Sequence, residues 1–266
     1  MNVSSVKLVY FSPTGTTKKI LEEIASALKI DTIDIVDGTK PATRTGNPQP
    51  FHDELIILGA PVYGGRLPSD AADWFKSFTA LKTPVVLIVV YGNNAYKDAL
   101  KELQDIADAA GFIPVAAGAF IGEHSFSTDE QPIARDRPDA MDVLNAREFG
   151  ERIRNKLFQN KSFDTMGPLN IPGNFPYKQS PSFPNIAPVT DAGKCSRCGA
   201  CVNVCPAGAI NKDDMADTDP EKCILCCACI KCCPNGAREF KDGFISTITN
   251  KLYHGCRERK EPETYL

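Results

Sequence analysis

The sequence predicts an α/β fold, namely a doubly wound, five-stranded parallel sheet followed by a small C-terminal α+β domain. Two observations support this prediction. Strands and amphipathic helices alternate through the first 160 residues, which is typical of a parallel sheet with helices on both faces. All 11 cysteines of the 266-residue chain lie between Cys195 and Cys256, and so sharp a change in composition usually marks a boundary between separately folded units.

The first strand and the first helix meet at a polar loop. Residues 6–11 form a short apolar run rich in strand-forming side chains, and the segment TGTTKKILEEIASALK follows it. The apolar residues of this segment, such as Ile20 and Ile24, recur at helical spacing. A loop at 12–16 is therefore expected to join a strand to a helix.

Four further strands are predicted from TIDIVD, ELIILGAP, PVVLIVV and FIPVAAGAFIG, and a final helix is predicted from about 138 to 158. The strands at 55–59 and 85–91 are continuously apolar, as expected where helices cover both faces of a parallel sheet. Ligands of such sheets bind beyond the carboxyl ends of the strands. The sequence therefore predicts a binding site formed by three loops that leave those ends, at 12–17, 60–68 and 91–96.

The composition divides the chain into four parts, which are a first domain at 1–160, a linker at 161–190, a cysteine-rich domain at 191–240 and a tail at 241–266. The linker is rich in proline, which removes backbone donors and favours extended geometry. It also contains aromatic residues, so we expect it to pack across the first domain. The tail contains no motif.

The cysteines form an internal repeat. Residues 195–210, CSRCGACVNVCPAGAI, align with residues 223–238, CILCCACIKCCPNGAR, at a constant offset of 28. Each copy reads C-x2-C-x2-C-x3-C-P, and the cysteines in register are Cys195, Cys198, Cys201 and Cys205 in the first copy and Cys223, Cys226, Cys229 and Cys233 in the second. Cys227 and Cys232 lie outside this register.

The spacing within each copy is typical of iron–sulfur proteins. Three thiolates two residues apart surround three corners of a cluster, and in two-cluster ferredoxins the fourth cysteine binds the other cluster. This rule predicts cluster 1 on Cys195, Cys198, Cys201 and Cys233, and cluster 2 on Cys223, Cys226, Cys229 and Cys205. Structural zinc sites are the alternative, but they usually set two close cysteines against two distant ones.

On these motifs, residues 191–240 resemble the bacterial ferredoxins that carry two [4Fe-4S] clusters. Three cysteines remain outside the motif. Cys227 and Cys232 could be redox sensors, extra ligands or small buried thiols that pack beside a cluster, and Cys256 is interpreted as an ordinary free thiol.

The loop FSPTGTTKK, at 11–19, has the chemistry of a phosphate site. Its hydroxyls and backbone N–H groups can surround an anion at the start of a helix. It matches neither the dinucleotide fingerprint nor the P-loop. It resembles the flavodoxin phosphate loop, [ST]-x-T-G-x-T, which is present here as Ser12-Pro13-Thr14-Gly15-Thr16-Thr17.

The flavodoxin resemblance implies bound FMN, with the flavin ring between the loops at 60–68 and 91–96. It assigns Tyr63 to stack on the ring and the Gly64 peptide to face N5, although ordinary packing is an alternative for each tyrosine. The role of Arg66 or His124 stays open. The FMN-binding residues implied by the resemblance are Ser12, Thr14, Gly15, Thr16, Thr17, Pro61, Tyr63, Gly64, Gly65, Tyr91, Gly92, Asn93 and Tyr96.

The whole chain resembles a family that fuses a flavodoxin-like domain to a two-cluster ferredoxin in anaerobic bacteria and archaea. This resemblance implies an electron-transfer protein that passes electrons between two [4Fe-4S] clusters and FMN, linking a low-potential donor to an acceptor protein. One alternative is a ferredoxin-dependent flavoenzyme that reduces a quinone or free flavin. A second alternative is a flavin-free scaffold that docks a ferredoxin. The sequence identifies no catalytic residue, so whether the chain is an enzyme stays open.

The charge balance gives little reason to expect nucleic acid as a partner. The chain has 30 basic and 33 acidic residues, a formal net charge of −3, which creates no strong field of either sign. No secretory signal or long apolar segment is recognisable. We therefore expect a cytoplasmic protein whose partners are redox proteins and which binds neither nucleic acid nor membranes. The oligomeric state stays undetermined.

Overall fold

The computed structural model of the chain describes residues 3–46, 48–160, 162–163, 166–179, 181, 183–241 and 243–266. Its strands are β1 (Ser5–Tyr10), β2 (Thr32–Asp37), β3 (Leu55–Pro61), β4 (Thr83–Tyr91), β5 (Phe112–Ile121), β6 (Val189–Thr190), β7 (Arg238–Glu239) and β8 (Glu263–Tyr265). Its helices are α1 (Thr16–Leu28), α2 (Ser69–Lys76), α3 (Ala99–Ala110), α4 (Ala140–Gln159), α5 (Ala200–Val204), α6 (Ala228–Lys231) and α7 (Gly243–Gly255). None of these helices is both long and apolar enough to cross a bilayer.

The main sheet has six strands in the order β2-β1-β3-β4-β5-β8. The first five are parallel, as predicted, and their order reverses beside β1, which is the doubly wound arrangement. The sixth strand, β8, pairs with β5 in the antiparallel direction. The segment 241–266, which the sequence presents only as a tail, therefore contributes α7 and a sheet edge. Three residues are too few for β8 to show a recognisable period.

Helices cover both faces of the sheet. Every residue of β3 and β4 is buried, which explains their continuous apolar sequences. On one face α1 and α4 pack together and against the sheet, and on the other face α2 and α3 do so. The α1–α4 contact requires Gly150, because a Cβ there would overlap the backbone carbonyl of Ile24.

The C-terminal segment is fixed to the loops at the carboxyl end of the sheet. Asn93 donates to the carbonyl oxygens of Cys256 and Glu258, and its own amide oxygen accepts from the Lys260 backbone. Arg259 forms an ion pair with Asp139, whose side chain also caps α4. The hydrogen bonds to Asn93 place the end of α7 beside the predicted ligand site.

The linker packs on the first domain, as its aromatic residues predict. Asp98 accepts hydrogen bonds from the backbone of Asn174 and Lys178. The Tyr177 hydroxyl donates to Asp105, and the Arg66 guanidinium lies 4.3 Å from the centre of the Tyr177 ring. These contacts fix the path of the described part of the linker along α3.

The two cysteine repeats, which we call the first cluster loop (195–210) and the second cluster loop (223–238), have similar backbones. Gly208 and Gly236 occupy equivalent positions with φ of 60° and 59°. Gly199 and Cys227 are likewise equivalent, and both have positive φ, 76° and 60°. The sequence repeat is therefore also a structural repeat.

Candidate functional site

The loop at 12–17 presents unused donors at the start of α1. Gly15 caps the helix with φ of 81° and no side-chain cap is present, so the first N–H groups of the helix are available to an anion. The Ser12 hydroxyl accepts from the Lys18 backbone and holds the turn. Thr17 is fully buried, yet its hydroxyl has no hydrogen-bond partner among the described residues. A buried hydroxyl without a partner is costly, so these residues fit the terminal phosphate of FMN.

A cleft of about 920 Å³ lies at the carboxyl ends of β3, β4 and β5 and extends to this loop. Its volume is within the usual range for cofactor sites. Of the residues predicted to bind flavin, those that line the cleft are Thr14, Thr16, Pro61, Tyr63, Gly64, Gly65, Tyr91 and Gly92. Ser12, Gly15 and Thr17 belong to the same phosphate loop but do not line the cleft.

Two residues expected at the flavin, Asn93 and Tyr96, do not line the cleft. The Asn93 side chain instead binds the backbone of the C-terminal segment, as described above. The Tyr96 hydroxyl donates to Glu263 and lies 2.9 Å from the Tyr265 hydroxyl, both on β8. β8 and the segment before it occupy the space that these two side chains face, so their contribution to the flavin site stays a prediction.

Part of the cleft wall comes from residues that the sequence did not associate with flavin. One face of α7 supplies Phe244, Ile248 and Leu252, which are spaced at i, i+4 and i+8. The Phe183 ring packs on Phe244 at 6.1 Å. Cys256, interpreted as an ordinary free thiol, is buried and also lines the cleft. The helical spacing of the apolar residues in 244–252 was the available signal for this wall.

Tyr63 lies between the cleft and the second cluster loop. Burial raises the pKa of the Tyr63 hydroxyl well above its usual value, and the nearby thiols of Cys226 and Cys227 raise it further. The hydroxyl also makes a hydrogen bond with Ser125. Tyr63 is therefore a neutral aromatic side chain that lines the cleft near the second cluster loop.

His124 lies in the cleft wall as a neutral side chain. Its Nδ1 accepts from the Phe126 backbone at 3.0 Å, and a Cβ at Gly92 would overlap its ring. Burial lowers the pKa of His124 to about 4, and the charge of Lys231 lowers it further. Arg66 also lines the cleft, but its guanidinium forms two hydrogen bonds with the buried Glu102 carboxylate.

The cysteines line two small cavities of about 20 Å³ each. The cysteines of the first cavity are Cys195, Cys198, Cys201 and Cys233. Those of the second are Cys205, Cys223, Cys226, Cys227 and Cys229. Within the described residues, no group of three or more His, Cys, Asp or Glu could hold a single metal ion. Four motif thiols converge on each cavity, and four thiolates are the ligand set of a [4Fe-4S] cluster.

The chain sequence also matches known domain families. Residues 7–123 match the flavodoxin domain, and residues 188–211 match the 4Fe-4S binding domain. The chain therefore joins a flavodoxin domain to a 4Fe-4S ferredoxin domain. The flavodoxin domain implies FMN and the ferredoxin domain implies a 4Fe-4S cluster, while the cysteines are compatible with two clusters. Together the domains support an electron-transfer role.

Solved structures with a similar fold include several flavodoxins. A flavodoxin of Streptococcus pneumoniae TIGR4 is 15% identical, with 57% of this chain and 99% of that chain covered and a TM-score of 0.38. The Fusobacterium nucleatum flavodoxin bound to flavin mononucleotide is 15% identical, with 58% and 97% covered and a TM-score of 0.37. The rubredoxin oxygen:oxidoreductase of Desulfovibrio gigas is 13% identical, with 59% and 37% covered and a TM-score of 0.39. No curated protein matches the chain significantly.

The ferredoxin domain is docked on the flavodoxin domain at the cleft. Ile224 lines both the flavin cleft and the second cysteine cavity, so one side chain forms a wall common to the two sites. Lys231 of the second cluster loop forms an ion pair of 2.8 Å with Glu123. Arg44 donates a hydrogen bond to the Pro206 carbonyl oxygen. These contacts hold the second cavity next to the cleft.

The two cysteine cavities differ in their exposure. Cys198 in the first is exposed, and hydrogen bonding from the Ala200 backbone lowers the pKa of its thiol. Its equivalent in the second, Cys226, is buried, and burial raises the pKa of that thiol to about 12. The first cavity therefore lies near solvent and the second lies within the domain contact.

Cys227 and Cys232, which lie outside the motif, are each near one cavity. Cys227 lines the second cavity and its thiol lies 3.6 Å from the Leu225 carbonyl oxygen. Burial raises the pKa of the Cys232 thiol, and Cys201 and Cys233 of the first cavity raise it further. Both positions agree with thiols packed beside the cavities, and among the described residues no separate group of metal ligands surrounds either of them.

Proposed function

We propose that the chain passes electrons between two [4Fe-4S] clusters and an FMN, and so links a low-potential donor to an acceptor protein. Clusters exchange single electrons and a flavin can hold two, so the combination can split or merge electron pairs. The observation that carries the proposal is the position of Ile224, which separates the flavin cleft from the second cysteine cavity.

The proposed ligands of each cluster include one cysteine from the opposite loop. Cluster 1 is assigned to the thiols of Cys195, Cys198, Cys201 and Cys233, and cluster 2 to those of Cys223, Cys226, Cys229 and Cys205. The lining of the two cavities supports this crossed assignment. Backbone N–H groups of Ala209 and Ala237 donate to the sulfurs of Cys205 and Cys233, at 3.3 and 3.2 Å, and such bonds stabilise thiolates.

The proposed FMN site combines the loop at 12–17 with the cleft. Thr17 and the first turn of α1 would hold the phosphate, and Tyr63 would pack against the ring next to the second cluster loop. An aromatic neighbour disfavours extra negative charge on the ring. We assign α7 to this site as well, so the segment 241–266 acts with the first domain (1–160), although it follows the linker (161–190) and the cysteine-rich domain (191–240).

The difference in solvent exposure between the two cysteine cavities suggests the order in which electrons pass through them. Cys198 is exposed, so we assign the first cavity to electron exchange with an outside redox protein. The second cavity then exchanges with the first cavity on one side and with the flavin on the other. Clustered cysteines that serve as metal-cluster ligands rather than disulfides fit a reducing, cytoplasmic location. An anaerobic setting would protect such clusters from oxygen.

Stepwise reduction of the full chain tests this function. The protein is reconstituted with iron, sulfide and FMN, and is reduced by known amounts of electrons while flavin absorbance and the cluster EPR signals are recorded. We expect electrons to redistribute between flavin and clusters until the ratio of reduced flavin to reduced cluster is constant. A flavin whose reduction state never responds to the clusters would contradict the proposal.

A second candidate is a ferredoxin-dependent reductase of a small apolar molecule such as a quinone or free flavin. The observation that favours it is the apolar wall that Phe183, Phe244 and Ile248 add to the cleft. Turnover with reduced ferredoxin should then saturate as the concentration of the quinone or flavin increases. A rate that stays proportional to acceptor concentration would instead agree with an electron carrier. Direct use of NAD(P)H is disfavoured because the dinucleotide fingerprint is absent from the sequence.

A further inference from the structure

The two cluster loops end in residues of different charge. Ile210 ends the first loop, and Arg238 occupies the equivalent position 28 residues later in the second. Both are buried, with 6% and 3% of their surface exposed. Ile210 lines the second cysteine cavity and Arg238 lines the first. Equivalent positions in the repeat therefore place an apolar side chain at one cavity and a positive charge at the other.

The oxygen atoms that accept hydrogen bonds from the Arg238 guanidinium all belong to uncharged hydroxyl and carbonyl groups. It donates to the hydroxyls of Thr190 and Thr218, at 2.8 and 2.9 Å. It also donates to the carbonyl oxygens of Met215 and Pro188, at 3.0 and 3.2 Å. Its Nε is buried without a partner. Across the described residues, no carboxylate forms an ion pair with it, and the adjacent Glu239 pairs with Lys241 instead.

A buried cation is costly unless a negative group compensates it, and the nearby groups that can be negative are thiolates. Arg238 Nη2 lies 3.8 Å from the sulfur of Cys229, a proposed ligand of cluster 2. Arg238 also lines the first cavity together with Cys201. The charge of Arg238 therefore lies beside both cavities.

We propose that Arg238 is a shared counter-charge of both clusters and raises their reduction potentials. The inference rests on the cluster ligands assigned above. A [4Fe-4S] cluster with four thiolate ligands is negative and becomes more negative when it gains an electron. A fixed cation in a poorly solvated site stabilises the more negative state more strongly, and local charge is among the factors that set cluster potentials.

The test replaces Arg238 by glutamine in the full chain, which removes the charge and keeps an amide donor. The reduced clusters are quantified by EPR at a fixed applied potential near the wild-type midpoint, and the oxidised clusters are obtained as the difference from the signal of the fully reduced protein. We expect the ratio of reduced to oxidised cluster to fall about tenfold or more, and tenfold corresponds to 59 mV for a one-electron couple. The measurement is repeated on protein without FMN, so its result does not depend on electron exchange with the flavin.

Two control variants separate charge from shape. Arg238→Lys keeps the charge, so its ratio should stay close to that of the wild type. Thr218→Val removes one partner of Arg238 and keeps the guanidinium, so it should also leave the ratio nearly unchanged. An Arg238→Gln protein with full cluster content and the wild-type ratio would overturn the proposal. It would also be overturned if Arg238→Lys lowered the ratio as much as Arg238→Gln.

A failure of Arg238→Gln to assemble clusters would still decide the question. Iron and sulfide content would then be compared between Arg238→Gln and Arg238→Lys after identical reconstitution. If the charge matters, lysine restores the clusters that glutamine loses. If lysine fails as glutamine does, Arg238 acts through its shape and hydrogen bonds, and the proposal is wrong. The function proposed above fails on a different result, which is that electrons do not pass between flavin and clusters.

Discussion

The two cluster loops have the same cysteine spacing and similar backbones, but they have different neighbours. In the first cluster loop Cys198 is exposed, whereas its equivalent Cys226 in the second is buried beside the flavodoxin domain. Ile224 and Leu225 of the second loop line the flavin cleft, and the equivalent residues of the first loop do not. The comparison shows how two copies of one motif can differ in accessibility, because the flavodoxin domain covers one copy and leaves the other exposed.

The largest effect is expected from removing one cysteine of each loop. Cys226→Ala should disrupt the cluster of the second cavity and abolish electron exchange with the flavin, because that cavity adjoins the cleft. Cys198→Ala should disrupt the other cluster, preserve internal exchange and abolish reduction by an outside ferredoxin. Flavin absorbance and cluster EPR after partial reduction measure the internal exchange, and mixing with reduced ferredoxin measures the external step.

Cys232→Ala is the control, since this cysteine is in the same region but outside the motif. It should retain both clusters and both electron-transfer steps. The comparison of the loops would be wrong if Cys198→Ala abolished internal exchange while Cys226→Ala preserved it.

Replacement of Thr17 tests the flavin site, which lies next to the second cluster loop. Its hydroxyl has no partner among the residues that the structure describes, so Thr17→Val should stabilise the flavin-free protein by about 1 kcal/mol, the cost of an unsatisfied buried hydroxyl. The same change should weaken FMN binding about tenfold, because a hydrogen bond to the charged phosphate is lost. Thermal unfolding without FMN and fluorescence titration with FMN measure the two effects.

Thr83→Val is the matched control for Thr17. Thr83 is also buried, but its hydroxyl donates to the Phe51 carbonyl oxygen at 2.6 Å. Its replacement should destabilise the protein by about 1 kcal/mol and leave FMN affinity unchanged. If Thr17→Val destabilised the flavin-free protein equally, its hydroxyl would have a partner there.

A charge reversal in the second cluster loop should weaken its contact with the flavodoxin domain. Lys231→Glu replaces the ion pair with Glu123 by a repulsion, and a partly exposed pair of this kind contributes about 1 kcal/mol. We expect internal electron exchange to slow about fivefold, which is the equivalent factor. The effect should decrease as salt is added, because salt screens exposed charges.

The repeat provides a matched control, because Asn203 is the exposed equivalent of Lys231 in the first cluster loop. Asn203→Glu should leave internal exchange unchanged. The double variant Lys231→Glu and Glu123→Lys should recover most of the rate. If Asn203→Glu slowed exchange as much as Lys231→Glu, the domain contact would not explain the effect.

The smallest effect concerns His124, which faces Lys231. Its pKa is lowered from 6.5 to about 4, so between these values the unfolded chain binds a proton that the folded protein does not. Stability is therefore lost as the pH falls below 6.5, by about 0.7 kcal/mol from this group between pH 7 and pH 6. The loss should be absent in His124→Gln when thermal unfolding of the two proteins is compared at both pH values. Equal losses would mean that His124 titrates alike in the folded and unfolded states.

Much of the fold and of both sites could be predicted from the sequence. Periodic apolar residues predicted the five parallel strands, and the segment from Ser12 to Thr17 predicted the phosphate loop. The contacts that two predicted flavin residues make with the C-terminal segment could not be predicted. Tyr96 and Asn93 follow a strand whose loop belongs to the site, but their partners in 256–265 are more than 150 residues away and follow no pattern that a local window could detect.

The sequence by itself determined two local patterns. These are the spacing of the cysteines in each repeat and the run of hydroxyl side chains in the phosphate loop. These features depend on residues that are close along the chain, where backbone geometry fixes the distance between side chains. Only the tertiary structure decided that Ile224 separates the two sites, that α7 covers the cleft and that Arg238 reaches both cysteine cavities. Those relations depend on how two domains pack, and the packing of distant surfaces leaves no periodic signal in a single sequence.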